Sequence, residues 1–379
     1  MVKLPSIASV KSLKGKRVLL RAELNVPLKN GKVVDTFRIV QTLPTVRFLK
    51  RAGAKVVVIA HIGRDPKESL KPVARYMATK TAIGFVPELF GTRANRVLRD
   101  MKNGSAVLLE NLRSDPGEEE NDAVLAQRLA AYADIYVNDA FGTAHREHAS
   151  IVGVSQYLPA YAGFSFAEEY KHLSLVLEPR HPFAFVLGGA KFETKMPLLK
   201  KYVTIADMIY VGGALANTLL KARGYEVGRS VVEDTPGAKT LANNPRIRVP
   251  FDVLVETKSE EAFVRGVEEV TANDLIVDIG PETTAIWASE MSSAKEILMN
   301  GPMGLYERGY VDGTRTLLKG IAKSGAHSTI GGGDTVALAR SLNMEKHFTF
   351  VSTAGGAMLD FLVNNTLPGV EAIVKNDKR

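Results

Sequence analysis

The stretch "FAFVLGGAKFETK", residues 183–195, joins an apolar run to a pair of glycines and two lysines. The apolar run predicts a strand, and the glycines follow at the strand's end. In parallel α/β sheets, ligands bind outside the carboxyl ends of the strands. The stretch does not match G-x-x-x-x-G-K-[ST], the pattern of a P-loop. It therefore predicts an α/β fold with an anion site of a different kind.

The same arrangement of strand, turn and helix recurs along the chain. The run "KVVVIAH" (55–61) is rich in β-branched residues and is typical of a strand buried on both faces. Alternation of strands and helices at this spacing predicts doubly wound parallel sheets. In the first half we predict strands at 16–24, 55–61, 105–112, 133–139 and 150–154, and in the second half at 183–189, 207–213, 250–256, 295–301 and 348–356.

Composition narrows the class of protein. The chain has 379 residues, which favours two domains, and 45% of its residues are hydrophobic. It contains no cysteine, which excludes disulfides, thiolate zinc sites and cysteine nucleophiles. No apolar run reaches the length of about 18 residues needed for a membrane span, and no signal peptide is recognisable. We therefore expect a cytoplasmic protein with no membrane partner.

The charge is unevenly distributed. Residues 1–150 hold 25 Lys and Arg against 15 Asp and Glu, whereas the remaining residues hold 24 against 26. A basic first part predicts an anionic partner there. Nucleic acid is one alternative, but stacking aromatics and a Lys/Arg block are both lacking. The other alternative is a basic surface that contacts only solvent.

Five basic side chains in the first half lie at or just after predicted strand ends: Arg38, His61, Arg64, Arg113 and Arg146. Guanidinium groups bind carboxylate and phosphate with two hydrogen bonds. A single such arginine is usually a surface ion pair. Several at equivalent places of a parallel sheet predict a site for a substrate that carries phosphate and carboxylate.

Five glycine clusters follow strands in the second half: "VLGGAK", "YVGGALAN", "MNGPMG", "IGGGDT" and "TAGGAM". Glycine there lets backbone amides approach phosphate, and a following helix offers its N-terminus to the anion. The set predicts a nucleotide site. Asp334 follows three glycines and is a candidate contact for Mg²⁺, or an ordinary helix N-cap.

Together these residues resemble the phosphoglycerate kinase family along nearly the whole chain. The matching motifs occur in family order, and they are "RAELNVP", "AHIGRD", "LLENLR", "NDAFGTAHREHAS", "GGAKFETK", "IGPET", "NGPMGLYE", "IGGGDT" and "STAGGA". The resemblance implies phosphoryl transfer between 1,3-bisphosphoglycerate and MgADP, giving 3-phosphoglycerate and MgATP. It also implies two Rossmann-like domains, each a doubly wound parallel sheet, joined by a hinge helix.

The resemblance assigns residues to roles. It implies catalytic roles for Arg38, Lys191, Gly355 and Gly356. It implies a phosphoglycerate site of Glu23, Asn25, Arg38, His61, Ile62, Gly63, Arg64, Arg113 and Arg146. It implies a nucleotide site of Gly189, Lys195, Gly212, Gly213, Asn300, Glu307, Gly332, Gly333, Asp334 and Thr335, where Glu307 takes the ribose hydroxyls and Asp334 contacts Mg²⁺.

The expected organisation follows from the same resemblance. Residues 1–162 form the phosphoglycerate domain, 163–180 the hinge helix and 181–364 the nucleotide domain, with the tail 365–379 packed back on the first domain. We expect a monomer that binds no nucleic acid. Glu23 stands where the family has Asp, and Ala354 replaces a family glycine, which requires a negative φ. A degenerate member that binds its ligands without turnover is the alternative.

Overall fold

The computed structural model describes residues 3–190 and 192–376, and the chain divides into two compact units. The first unit is Met1–Lys171 with Asn364–Arg379, and the second is His172–Val363. Among the described residues, no helix is both long and apolar enough to cross a membrane.

The first unit contains a six-stranded sheet in which all strands are parallel, with the order β5-β6-β4-β1-β7-β8. A short antiparallel hairpin, β2 with β3, lies outside it. The strands are β1 (Arg17–Ala22), β2 (Leu28–Lys29), β3 (Lys32–Val33), β4 (Lys55–Ile59), β5 (Gly84–Val86), β6 (Ala106–Leu109), β7 (Ile135–Asp139) and β8 (Ala160–Ala162). The helices are α1 (Phe37–Arg51), α2 (Lys71–Ala78), α3 (Thr92–Arg99), α4 (Ala123–Ala130) and α5 (Phe164–Leu175).

The apolar runs of β1 and β4 place these strands in the middle of the sheet. Val18 and Leu20 share one core cluster with Val56 and Val58, and the alternate residues are buried on the opposite face. The chain leaves β1 toward β4 on one side and later reaches β7 on the other. A change of direction of this kind opens a crevice at the carboxyl ends of the strands. The residues that follow β1 and β7 therefore border the expected binding site.

The second unit contains a six-stranded parallel sheet with the order β11-β10-β9-β15-β16-β17, and a separate three-stranded antiparallel sheet with the order β13-β12-β14. The strands are β9 (Phe183–Leu187), β10 (Met208–Val211), β11 (Ile247–Arg248), β12 (Asp252–Glu256), β13 (Ala262–Gly266), β14 (Leu275–Ile279), β15 (Glu296–Asn300), β16 (His327–Gly331) and β17 (Phe350–Val351). The helices are α6 (Phe192–Tyr202), α7 (Gly213–Ala222), α8 (Ala238–Ala242), α9 (Pro281–Glu290), α10 (Asp312–Lys323), α11 (Gly333–Ser341) and α12 (Gly356–Asn364).

The order of the second sheet is that of the dinucleotide-binding fold, and it reverses between β9 and β15. The glycines after β9 and those after β15 thus lie on either side of the switch point. Behind the sheet, Val186, Ile297 and Met299 share a core cluster with the buried Trp287. The predicted α/β class with two doubly wound sheets is confirmed.

The last described helix, α13 (Pro368–Asn376), packs on the first unit. The backbone N–H of Gly369 donates to the Ala144 carbonyl at 2.8 Å. The side-chain oxygen of Asn376 accepts a hydrogen bond from the Ala160 N–H at 2.9 Å. The end of the chain is therefore held next to β8, the edge strand of the first sheet.

One predicted strand is wrong. Residues 150–154 lie in a π-helical turn, Ala149–Gly153, followed by a 3-10 turn, Val154–Gln156. Tertiary contacts override the β-propensity of these residues. The Ser150 N–H donates to Glu118 at 2.9 Å, and Gly153 lies close to Ala126 of α4, where a Cβ would be 2.9 Å away. The edge position of the sheet is taken by β8 instead.

A second prediction needs correction. Residues 250–256 were expected to continue the parallel series, but β12 pairs antiparallel with β13 and β14. Five residues separate β12 from β13. A parallel connection needs a dozen or more residues, whereas a short loop permits only an antiparallel pair. The small sheet is therefore a separate layer of the second unit.

Candidate active site

The carboxyl end of β1 holds a carboxylate and an arginine in contact. Glu23 is 6% exposed, and its Oε1 lies 3.6 Å from Nη1 of Arg38 in the first turn of α1. The same Nη1 donates to the Asn25 carbonyl at 2.8 Å. Oε2 of Glu23 is buried and has no hydrogen-bond partner among the described residues. The Arg38 guanidinium is thus fixed along one edge, while its side chain remains 34% exposed.

The loop after β4 is tied to the loops after β1 and β6. The Gly63 N–H donates to Oδ1 of Asn25 at 3.0 Å, and the Ile62 N–H donates to Oδ1 of Asn111 at 3.1 Å. The Arg113 guanidinium donates to the Gly63 carbonyl, at which φ is +62°. Arg64 follows in the same loop and is exposed. These bonds bring Asn25, Gly63 and Arg113 to one end of the sheet.

His61 is a neutral imidazole inside this cluster. It is 4% exposed, and its Nδ1 lies 2.9 Å from Nη2 of Arg21. Burial, reinforced by the charges of Arg21, Arg113 and Arg146, lowers the pKa of His61 to about 2. Because the guanidinium only donates, Nδ1 must accept, and the ring proton is left on Nε2. His61 therefore offers a neutral N–H donor amid arginines.

Arg113 and Arg146 complete the basic cluster. Burial and the Arg113 charge lower the pKa of Arg146, whereas Glu23 and Glu119 raise it. Each of these groups lies close enough to act on the Arg146 guanidinium. The structure thus gathers the predicted residues around the ends of β1, β4, β6 and β7, as the sequence analysis expected from parallel strands.

In the second unit, three glycines allow loops to touch at the switch point. Gly189, Gly213 and Gly301 have φ angles of +104°, +63° and +90°. A Cβ on Gly213 would lie 2.8 Å from the backbone nitrogen of Gly189, and one on Gly301 would lie 2.8 Å from Nζ of Lys195. Side chains at these positions would separate the loops after β9, β10 and β15.

Lys195 lies under these loops. It is 9% exposed, and its Nζ donates to the Gly188 carbonyl. Burial lowers the pKa of Lys195 to about 8, and the Asp334 carboxylate opposes that shift. Burial raises the pKa of Asp334, and Glu307 raises it further. Beside the glycine loops, the Asp334 carboxylate therefore interacts electrostatically with both the Lys195 ammonium and the Glu307 carboxylate.

Three helices of the second unit begin at glycines that follow its parallel strands. α7 begins at Gly213, α11 at Gly333 and α12 at Gly356, each just after a strand of the parallel sheet. No atom lies within 4 Å of the Cβ position of Gly333 or Gly356, so their backbone is open to a ligand. Thr335 is fully buried, and its Oγ1 has no hydrogen-bond partner among the described residues. Free N–H groups of the first turn bind phosphate.

The remaining predicted residues lie around the same edge. Asn300 ends β15, is buried, and its side-chain nitrogen lies 3.5 Å from the sulfur of Met358. Gly332 and Gly355 have φ angles of +90° and +57°. Gly212 follows β10 directly. Ala354 is absent from the residues with positive φ, so alanine is unstrained there. Lys191 lies outside the described residues.

A narrow cleft with an accessible volume of only about 20 Å³ adjoins Gly213. Its lining is mostly apolar, with Val253, Met303 and Leu305 among its walls. Two buried polar side chains also face it, Asn217 and Asp278, and Oδ1 of Asn217 has no hydrogen-bond partner among the described residues. The cleft thus combines apolar walls with buried polar groups beside the glycine loops.

Comparison with known proteins agrees with this architecture. The family model described as phosphoglycerate kinase matches residues 7–365. The chain belongs to the phosphoglycerate kinase family. Phosphoglycerate kinase from Rubrobacter xylanophilus is 41% identical over 382 residues, covering 97% of this chain and 97% of that protein. The enzyme from Fervidobacterium nodosum is 39% identical over 390 residues, covering 97% and 98%.

Solved structures agree as well. Phosphoglycerate kinase from Coxiella burnetii has a TM-score of 0.87 at 38% identity and covers 98% of this chain and 99% of that one. The enzyme from Pyrococcus horikoshii OT3 has a TM-score of 0.89 at 29% identity and covers 99% and 100%. The family, the fold and the phosphoglycerate kinase function expected from the sequence are confirmed.

The sequence analysis missed a buried network beneath the basic cluster of this phosphoglycerate kinase. Arg21 is fully buried, and its Nε donates to the Ser150 hydroxyl at 2.9 Å. That hydroxyl donates to Oε1 of the buried Glu118 at 2.6 Å, and the Tyr136 hydroxyl donates to the Ser150 carbonyl at 2.5 Å. An arginine inside the apolar run "RVLLRA" was the available signal, because a buried charge requires a partner.

Proposed function

We propose that the first unit holds the phosphoglycerate and the second holds the nucleotide during phosphoryl transfer between 1,3-bisphosphoglycerate and MgADP. The observation that carries this assignment is the cluster of Arg38, His61, Arg113 and Arg146 at the strand ends of the first unit. Four donors around one crevice match a substrate with phosphate and carboxylate groups.

The first unit would recognise the substrate by side chains. Arg38, Arg64, Arg113 and Arg146 would bind its anionic groups, and Nε2 of His61 would donate a neutral hydrogen bond. Oε2 of Glu23 is buried with no partner among the described residues and would accept a hydrogen bond from the hydroxyl of the substrate. A buried acceptor that lacks a partner selects strongly for a ligand that supplies a donor.

The second unit would recognise the nucleotide by backbone. The phosphates would bind the N–H groups at the starts of α7, α11 and α12, with Lys195 beneath them. Glu307 would accept hydrogen bonds from the ribose hydroxyls, and the base would lie next to the residues that line the cleft beside Gly213.

Asp334 would contact Mg²⁺. The described residues contain no group of three or more His, Asp or Glu suited to hold a metal ion alone. This fits an ion that enters with the nucleotide, because Mg²⁺ keeps phosphate oxygens and waters as most of its ligands. When bound, Mg²⁺ would neutralise charge on the nucleotide phosphates.

The transfer itself needs no general base. A carboxylate oxygen of 3-phosphoglycerate attacks the γ-phosphorus of ATP, and the bond from that phosphorus to the bridging oxygen of ADP breaks. The attacking group is already ionised, so the chain's residues must position the groups and neutralise the equatorial oxygens. Arg38, Lys191 and the amides at Gly355 and Gly356 are proposed for that task. Domain closure would also exclude water, which would otherwise hydrolyse the acyl phosphate.

A coupled assay with 3-phosphoglycerate and MgATP tests the proposal. We expect turnover that saturates in both substrates. Binding of both ligands by calorimetry without turnover would instead identify a degenerate member of the family. We also propose that the enzyme works as a cytoplasmic monomer, and light scattering of the purified chain would test the oligomeric state.

A further inference from the structure

Arg113 already has an anionic partner within the chain. Its Nη2 lies 2.8 Å from Oε1 of Glu119, and its Nη1 donates to the Gly63 carbonyl. Its Nε is buried without a hydrogen-bond partner among the described residues. The Arg113 side chain is 11% exposed, whereas that of Glu119 is 56% exposed. The carboxylate therefore covers the arginine from the solvent side.

The position of Glu119 matters because of guanidinium geometry. An oxyanion can form two parallel hydrogen bonds either end-on, to Nη1 and Nη2, or side-on, to Nε and Nη2. Both arrangements use Nη2, which is the nitrogen that Glu119 holds. A substrate carboxylate or phosphate that binds Arg113 in either way must displace Glu119 or share Nη2 with it.

We propose that Glu119 is an internal competitor for Arg113 and thereby sets the affinity of the enzyme for phosphoglycerate. The inference rests on the proposed role of Arg113 in substrate binding. Displacing the carboxylate from Nη2 costs part of the binding free energy that the substrate gains. Glu119 lies in the loop between a 3-10 turn, Pro116–Glu118, and α4, and its exposed side chain can move into solvent.

The two carboxylates of the cluster differ in their surroundings. Glu23 is buried and contacts Arg38 with one oxygen, while its other oxygen is left for a donor. Glu119 is exposed, so a substrate group would gain no more from a hydrogen bond to its carboxylate than from one to water. Both raise the pKa of Arg146, so both act on the same group of cations. Glu23 is therefore placed to contact the ligand, whereas Glu119 is placed to compete with the ligand for Arg113.

Glu119→Gln and Glu119→Ala test the proposal, with Glu120→Gln as the matched control. Glu120 is the next residue, is exposed, and has no ion pair with a described arginine, yet its substitution removes the same charge. We expect the KM for 3-phosphoglycerate to fall about two- to fivefold in both Glu119 variants, the range of a partly exposed ion pair. The inhibition constant of sulfate should fall in parallel, and the KM for ATP should not change.

Alanine should have the larger effect, because glutamine can still accept a hydrogen bond from Nη2. An unchanged or raised KM for 3-phosphoglycerate in both variants would overturn the proposal and make Glu119 a residue that positions Arg113. An equal fall in Glu120→Gln would also overturn it, since net charge alone would then explain the effect. If the wild-type chain lacked turnover, calorimetric titration with 3-phosphoglycerate would give the same comparison, so the two failures are distinguishable.

Discussion

The two units share a doubly wound parallel sheet, but we propose that they bind anions with different chemistry. In the first unit the donors are side chains, and the carboxylates Glu23 and Glu119 contact two of the arginines. In the second unit the donors are backbone amides at glycine loops, supported by the buried Lys195. Residues 1–150 accordingly carry an excess of ten positive charges, whereas the rest carry two more negative than positive charges.

This difference predicts how each site responds to change. Guanidinium groups stay charged at any working pH, and each can be removed without moving the backbone. An added Cβ would disturb the close contacts between the glycine loops, and Lys195 can lose its proton. A substitution in one unit should therefore change the binding of one substrate and not the other. A change of pH should mainly change the binding of the nucleotide.

The largest expected effect is in the first unit. Arg38→Ala removes a donor that we propose acts on the transferring phosphoryl group, and we expect kcat to fall about 10²- to 10³-fold, as for a lost oxyanion donor. Steady-state kinetics at saturating substrate measure it. Arg47→Ala is the control, because Arg47 lies on the same helix and, among the described residues, its guanidinium donates only to the Lys80 carbonyl, at 3.0 Å. Near-normal turnover of Arg38→Ala would refute the assignment.

In the second unit, a single methyl group should be enough to disrupt the site. Gly213→Ala places a Cβ 2.8 Å from the Gly189 nitrogen at a φ of +63°, and we expect the KM for ADP to rise at least about tenfold. Gly224→Ala is the matched control. Its φ is +94°, but no atom lies within 4 Å of the added carbon. The control should lose about 1 kcal/mol of stability and keep its KM. Equal effects on KM would mean that backbone strain, not loop contact, decides the result.

A change of pH should affect binding at the two sites differently. Lys195 has a pKa of about 8, so it is charged at neutral pH and becomes neutral as the pH rises through that value. We expect the KM for ADP to rise about tenfold per pH unit above pH 8, while the KM for 3-phosphoglycerate stays flat. Lys195→Met should have a high KM for ADP that no longer depends on pH in this range. A parallel rise of both KM values would contradict the comparison.

The positions of the predicted site residues could be inferred from sequence because strand ends fix them. Once strands are assigned before His61, Arg113 and Gly189, parallel pairing brings those residues to one edge of each sheet. Contacts between distant residues could not be inferred in this way. Arg21 and Ser150 are 129 residues apart, and no local pattern pairs them. The strand expected at 150–154 was wrong for the same reason, because the partner Glu118 decides the local conformation.

The smallest expected effect concerns Glu23, where the sequence analysis expects an aspartate in the family pattern. Glu23→Asp shortens the side chain by one methylene and draws the carboxylate away from Arg38, to which it is 3.6 Å at present. We expect the KM for 3-phosphoglycerate to rise roughly threefold, because a weakened hydrogen bond costs about 0.5–1 kcal/mol. Glu23→Gln keeps the length of the side chain and removes its charge, so it distinguishes the effect of side-chain length from the effect of charge. A lower KM for the aspartate variant would mean that the site still fits the shorter side chain. A side-chain site can therefore be adjusted by one methylene, whereas one methyl group in the glycine loops should disrupt the nucleotide site.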